Sequence, residues 1–286
     1  MNLKLLGIAR ALNYSPGRHE ANDRLILQKT AEVLGRRGCD VRIVTEEELA
    51  EGQAELHHDE VVFSMCQGPR ATERLLPYED RGHLILNSPR AVQNCYRGNF
   101  VTVLRGRSSL IPATTHVVFG RELPRPRLSF ESGRSYWVKR GCVHSTGDGD
   151  VVRVRTATEL HETMSSMKER GIKSAVVQEH VDGTLVKFYG VMDTDFFRCY
   201  AHEEPELSPP EVSAARPAIE GLVRRLGLEI YGGDAVVTDE GKVHVIDIND
   251  WPSFARFRNE AAEAIGLHVF RRAVAPARSR AAVLAE

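Results

Sequence analysis

Hydrophobic positions along the chain follow two different periods, and the change between them outlines the fold. Residues 3–9 read as a strand, 19–35 as a helix stopped by Gly35 and Gly38, and 41–45 as a second strand. A third strand, Val61–Cys66, leads through a helical stretch into Leu84–Asn87. Strands alternating with helices predict a parallel sheet, whose ligands gather at the carboxyl ends of its strands. A helix is predicted from Ser88 to about Arg105, with Pro89 in its first turn. Ile111 and Pro112 then return the chain to an extended course, and the pattern becomes antiparallel. Strands are predicted at 136–140, 151–155, 175–179, 185–192 and 196–200, with helices over 158–169, near 210–226, and from about 259. The stretch 121–134, with Pro124 and Pro126, reads as a linker or surface loop, and Pro205, Pro209 and Pro210 mark another.

The last strand pair carries the clearest chemistry. Two β-rich runs, Gly233 to Thr238 and Val243 to Asn249, are joined by Asp239-Glu240-Gly241, a hairpin signal. Side chains alternate across a strand, so Asp247 and Asn249 share a face, and the partner strand brings Asp234 into reach. Two carboxylates and an amide oxygen make an all-oxygen site suited to Mg²⁺ shared with phosphates. The alternative is a solvated outer face, which explains poorly the apolar Ile246, Ile248 and Trp251 around it.

Composition sets looser bounds. The 286 residues are 42% hydrophobic and 27% charged, with a net charge of −1, so no global field argues for nucleic acid or an acidic membrane. Five dispersed cysteines without a C-x-x-C pair suit a reducing cytoplasm, and no apolar run reaches membrane-spanning length. The N-terminus turns polar too soon for a signal peptide. Of 38 basic residues only seven are lysines, so a lysine inside an apolar strand stands out. Lys139 ends the run Tyr136-Trp137-Val138 and precedes a loop holding Gly141, His144, Ser145, Thr146, Gly147 and Gly149. Its backbone N–H groups suit phosphate oxygens; the alternative is a glycine hairpin with a snorkelling lysine. Lys187, central to an apolar strand, needs a partner or an anionic ligand unless it sits at an edge. After strand one, the loop Arg10-Ala-Leu-Asn13-Tyr-Ser-Pro-Gly-Arg18-His19 leads into a helix N-terminus and either holds an anion or simply caps the helix.

Taken in order, these pieces resemble the ATP-grasp superfamily: a lysine on a strand, a Gly-rich loop, Val-Val-Gln-Glu followed by a basic strand, then Asp…Asp-x-Asn. The resemblance covers roughly residues 85–265 and implies an α/β chain, α+β in its catalytic part. An N-terminal parallel βαβ domain (1–88) would precede a central subdomain (89–181) and a C-terminal one (182–286), whose antiparallel sheets sandwich ATP. It implies ATP and Mg²⁺ as cofactors. Lys139 and Arg97 would contact phosphates, with Arg97 replacing the family's usual first lysine. Gly141, Ser145, Thr146 and Gly147 would close over the nucleotide, and Gln178, Glu179 and Val181 would form the adenine hinge, with Asp182 toward the ribose. Lys187, Arg198 and His144 are the implied catalytic residues; Asp234, Asp247 and Asn249 the metal ligands. Arg10, Asn13, Arg18, His19, Ser253 and Arg256 are candidate contacts for a small anionic substrate. No nucleic acid or membrane partner is expected, and a homodimer is the assembly to look for. Three functions are weighed: a carboxylate–amine ligase, a polyol- or inositol-phosphate kinase, whose local motifs around Lys139, Lys187 and Asp247 are similar, and an ATP-binding regulatory protein.

Overall fold

The computed structural model describes residues 3–14, 20–106, 108–124, 126, 128–142, 147 and 149–283. Three four-stranded sheets account for all the strands among them. In the first, β1 (Lys4–Ala9), β2 (Asp40–Thr45), β3 (Glu60–Ser64) and β4 (Ile85–Leu86) run parallel in the order β2-β1-β3-β4. Between them lie α1 (Glu20–Arg36), α2 (Glu46–Glu51) and α3 (Pro69–Asp80). The short α2 has no counterpart in the sequence prediction, although its signal is present. Thr45 and Glu48 exchange side-chain and backbone bonds in a capping box.

The helix predicted over 88–105 is broken. It forms α4 (Pro89–Asn94) and α5 (Arg97–Leu104), with Tyr96 extended between them. A second sheet, ordered β5-β8-β6-β7, comprises β5 (Thr114–Val118), β6 (Tyr136–Arg140), β7 (Val151–Val154) and β8 (Ser174–Glu179). All its pairings are antiparallel. One face, carrying Tyr136, Val138, Ala175 and Val177, packs on Leu160, Met164 and Met167 of α6 (Ala157–Glu169). From the other face Trp137 and Lys139 line a cleft.

The third sheet, β10-β9-β11-β12, joins β9 (Thr184–Val191), β10 (Phe197–Ala201), β11 (Ile230–Val237) and β12 (Val243–Asp250), again antiparallel. Behind it Val186, Phe188, Ala235, Val245 and Ile248 bury against α5, α7 (Pro210–Ala214) and α8 (Arg216–Leu226). Its front face changes character along its length. At one end Tyr189, Val191 and Ile230 join a core with Leu5 and Phe63 of the parallel sheet, Ile26 of α1 and Ile265 of α9 (Arg258–Val283). Trp251, fully buried and stacked on Phe63 at 6.2 Å, closes that core. At the other end the same face carries Leu185, Lys187, Asp234 and Val236. All five cysteines are free, and no helix among the described residues is long and apolar enough to cross a membrane.

Candidate active site

Between the open faces of the two antiparallel sheets lies a cleft of about 390 Å³. Its lining includes Arg97, Lys139, Lys187, Asp234 and Asp247, with Trp137, Glu179 and Val181 toward the hinge. Strand periodicity explains most of this. Trp137 and Lys139 alternate with the buried Tyr136 and Val138, and Leu185 and Lys187 alternate with Val186 and Phe188. The apolar lining residues Leu185, Val236 and Ile246 were missed in the sequence. The first two share strand faces with Lys187 and Asp234, so the same alternation was available to find them.

Asp234 and Asp247 face each other across the β11–β12 ladder, with Asn249 opposite Gly232. The register shifts between Asp234 and Ala235, leaving Ile246 as the extra residue of a β-bulge. A bulge brings adjacent residues toward one side, and both Ile246 and Asp247 accordingly line the cleft. Gly233 makes the close pairing possible, since a Cβ there would sit 2.3 Å from the Asp247 carbonyl oxygen. Among the described residues no three His, Cys, Asp or Glu side chains form a metal-binding group. The donor set is two carboxylates and one amide, all hard oxygens, which fits Mg²⁺ and suits softer metals poorly. Cations already sit against both carboxylates: Lys187 Nζ donates to Asp234 Oδ1 at 2.9 Å, and Arg97 Nη2 lies 3.5 Å from Asp247 Oδ2.

Lys139 is held differently. The residue is 7% exposed, and its ammonium donates to Gln178 Oε1 at 2.8 Å and to the Ile246 carbonyl at 3.0 Å. Burial pushes its pKa below the ordinary lysine value, against the pull of Asp247. At Lys187 burial acts in the same direction but is outweighed by the Asp234 carboxylate, and the pKa rises. Arg97 is 8% exposed, reaches the Arg140 carbonyl at 3.4 Å, and keeps a buried Nε that has no hydrogen-bond partner among the described residues. An orphaned guanidinium N–H beside the cleft fits an anionic ligand such as a phosphate. Gly98 N–H bonds the Gly141 carbonyl at 2.9 Å, tying the start of α5 to the Gly-rich segment.

The hinge differs in detail from expectation. Gln178 is 2% exposed and its amide is committed to Lys139 and, at 3.3 Å, to Thr114 Oγ1, so it supports the lysine instead of meeting a base. Glu179 N–H is spent on the Ala113 carbonyl at 2.8 Å, whereas Val181 N–H has no partner among the described residues. Asp182 turns outward and bonds His180 Nε2 at 2.9 Å. Trp137 Nε1, which can only donate, reaches His180 Nδ1 at 2.9 Å and thereby fixes that nitrogen as the acceptor.

Other candidates lie elsewhere. Arg198 is outside the cleft lining and pairs with Glu260 at 2.7 Å. Arg256 stacks over Tyr200 at 5.0 Å and bonds Glu206, while Ser253 lies in the loop between β12 and α9. Arg10, expected in an anion-binding loop, is a buried tether. It bonds Asp23 at 2.9 Å, the Met65 carbonyl at 3.2 Å and the Trp251 carbonyl at 2.8 Å. Asn13 is exposed in a single helical turn, Leu12–Tyr14. Arg18, His19, His144, Ser145 and Thr146 lie outside the described residues. A residue not foreseen is Glu46, 2% exposed, whose carboxylate accepts the N–H groups of Ala11, Gln67 and Gly68. It holds together the two loops at the carboxyl edge of the parallel sheet.

The sequence matches no family model and no curated protein sequence. Solved structures do match. A D-alanine–D-alanine ligase from Bacillus anthracis, complexed with ATP, is similar at 13% identity and a TM-score of 0.66, over 98% of this chain and 99% of that one. The D-alanine–D-alanine ligase of Coxiella burnetii aligns at 11% identity and a TM-score of 0.65, over 100% of both chains. A RimK domain ATP-grasp protein from Sphaerobacter thermophilus aligns at 18% identity and a TM-score of 0.63, over 93% of this chain and 99% of that one. At these identities the likeness speaks for architecture, and it runs the length of the chain: the protein has the ATP-grasp fold.

Proposed function

We propose that this protein is a Mg·ATP-dependent carboxylate–amine ligase, divided as 1–88, 89–181 and 182–286. One observation carries the proposal. Three cations, Arg97, Lys139 and Lys187, converge with Asp234 and Asp247 on a single cleft, in a fold shared end to end with ligases. ATP would lie between the two antiparallel sheets, its base near Val181 N–H and its phosphates toward Arg97, Lys139 and Lys187. Asp234, Asp247 and Asn249 would hold magnesium, which when bound supplies charge neutralisation on the phosphate oxygens. Positioning and charge carry the reaction. An oxygen of the acceptor carboxylate attacks the γ-phosphorus, the bond to the ADP oxygen breaks, and an acyl phosphate forms. An amine nitrogen then attacks the acyl carbon, and inorganic phosphate leaves. Lys187 is suited to the transferred group because it stays charged and is reachable from the cleft.

A kinase using a hydroxyl acceptor is the second reading. It is favoured by the pairing of Arg198 with Glu260, which draws away the arginine that the ligase resemblance implies near the reaction centre. Hydroxylamine trapping separates the two. A ligase incubated with ATP, Mg²⁺ and a panel of amino acids and small carboxylates yields a hydroxamate. ADP release on polyol phosphates with no hydroxamate on any carboxylate would favour the kinase.

A further inference from the structure

Charged residues of the cleft each have an apolar neighbour two positions away on the same strand face: Trp137 beside Lys139, Leu185 beside Lys187, Val236 beside Asp234. Two residues of strand span about 7 Å, so a row of carbon runs alongside the charged row. It lies on the hinge side, because Trp137 pairs with Gln178 and Leu185 begins the strand just after Gly183. Trp137 and Val151 form its wall on the central sheet; Leu185, Val236 and Ile246 form the wall opposite. Two carbon walls across a cleft suit a flat ring, and the open Val181 N–H beside them suits a ring nitrogen.

Trp137 is the largest side chain of these walls, and its one polar atom is already used. Nε1–H donates to His180 Nδ1 at 2.9 Å. Since that nitrogen must accept, the imidazole proton sits on Nε2, which donates to Asp182 Oδ1 at 2.9 Å. The backbone N–H of His180 is tied to the Ser135 carbonyl at 3.0 Å. The imidazole is therefore held at its backbone and at Nε2, and through Nδ1 it holds the edge of the indole; turning the indole would break that bond. Glu179, a carboxylate of the same lining, lies 3.5 Å from Arg134, and Asp182 is outside the lining. What Trp137 presents to the cleft is a ring face with its N–H satisfied elsewhere.

We infer that Trp137 is the stacking wall for the base of the nucleotide, and that His180, oriented by Asp182, is the positioning residue that keeps the indole face turned to it. This rests on the reading of the cleft as a nucleotide site. The test compares two ligands that share phosphates and differ in the base, β,γ-imido-ATP and inorganic tripolyphosphate, each with Mg²⁺. Calorimetry is run on wild type, Trp137→Phe, Trp137→Leu, His180→Phe and His180→Gln, each first shown to unfold cooperatively. Trp137→Leu should weaken the analogue about tenfold or more and leave tripolyphosphate unchanged; Trp137→Phe, which still stacks, should lose less. His180→Phe leaves the indole without an acceptor and should weaken the analogue severalfold, whereas the amide oxygen of His180→Gln should restore most of the loss. The chain has two tryptophans and Trp251 is buried in the core, so quenching of indole emission by the analogue should vanish in Trp137→Leu. Unchanged analogue affinity in Trp137→Leu, or equal loss of both ligands, would overturn the stacking wall and leave the nucleotide site in place. Full affinity and full quenching in His180→Phe would overturn the positioning role. Binding of neither ligand to wild type would remove the nucleotide reading, and the wall with it.

Discussion

The two walls of the cleft each offer it a lysine, and the two are held by opposite chemistry. On the central sheet Lys139 is buried and bound only by neutral acceptors, the Gln178 amide and the Ile246 carbonyl. On the C-terminal sheet Lys187 is partly exposed and bound by a carboxylate. Neutral acceptors fix the direction of an ammonium without cancelling its charge, so Lys139 is a positive point in a buried wall, with its pKa lowered by that burial. A carboxylate partner cancels the charge until something more anionic arrives. On the proposed reading, Lys139 would meet a phosphate as it stands, and Lys187 would leave its carboxylate for one.

Linkage gives the two walls opposite signatures. Lys139 has a depressed folded pKa, so the unfolded chain binds its proton more tightly; stability recovers as pH rises from that folded value toward the ordinary lysine range. Lys187 has a raised folded pKa. Its contribution is full below the ordinary lysine range and is lost as pH rises through the folded value.

The largest effect should come from the carboxylate wall. Asp247→Ala is expected to lower turnover by about 10²–10³-fold or more, since it removes charge stabilisation at the transferred group. Thermal unfolding should stay cooperative, and its loss would make Asp247 structural. On the opposite wall Gln178→Leu leaves Lys139 one acceptor short. Affinity for an ATP analogue, measured by calorimetry, should fall by about tenfold. Its alkaline limb should move to lower pH, because a less solvated ammonium gives up its proton sooner. An unmoved limb would mean that Lys139 does not meet the phosphates. The smallest effect is expected outside the cleft. Arg198→Ala breaks an exposed pair and should change stability by less than about 1 kcal/mol, with nucleotide affinity unchanged. A large fall in turnover at intact affinity would return Arg198 to the reaction centre.

Much of this arrangement was legible in the chain, and the reasons are physical. The β11–β12 hairpin declared itself by alternation and a glycine turn, and that was enough to set Asp234 opposite Asp247. The bulge at Ile246 was not legible, because one extra residue in a ladder leaves no compositional mark. The sequence marked Lys139 as a lysine ending an apolar run, yet it could not say that Gln178 would turn its amide to that lysine, a diagonal contact between neighbouring strands. The long helix over 88–105 was read through Cys95 and Tyr96, neither of which breaks a helix by itself; Tyr96 is held by its hydroxyl on the Gln67 carbonyl at 2.8 Å, a tertiary bond. Arg10 looked like an anion ligand because its loop is basic. Its partners Asp23, Met65 and Trp251 are far away in sequence, and only the fold brings them to it.

The core that joins the parallel layer to the sheet carrying Asp234 and Asp247 limits how such a chain can diversify. Trp251 and Phe254 lie just past Asp250 and share a core with Leu5, Ile26 and Phe63, while Arg10 reaches back to the Trp251 carbonyl. Exchanging the N-terminal layer for another, as a route to a new acceptor, would strip that end of β12 of its packing and shift the carboxylates with it. New specificity is therefore expected to arise by changing loops at the carboxyl edge of the parallel sheet, around the Glu46 clamp, and not by swapping whole modules.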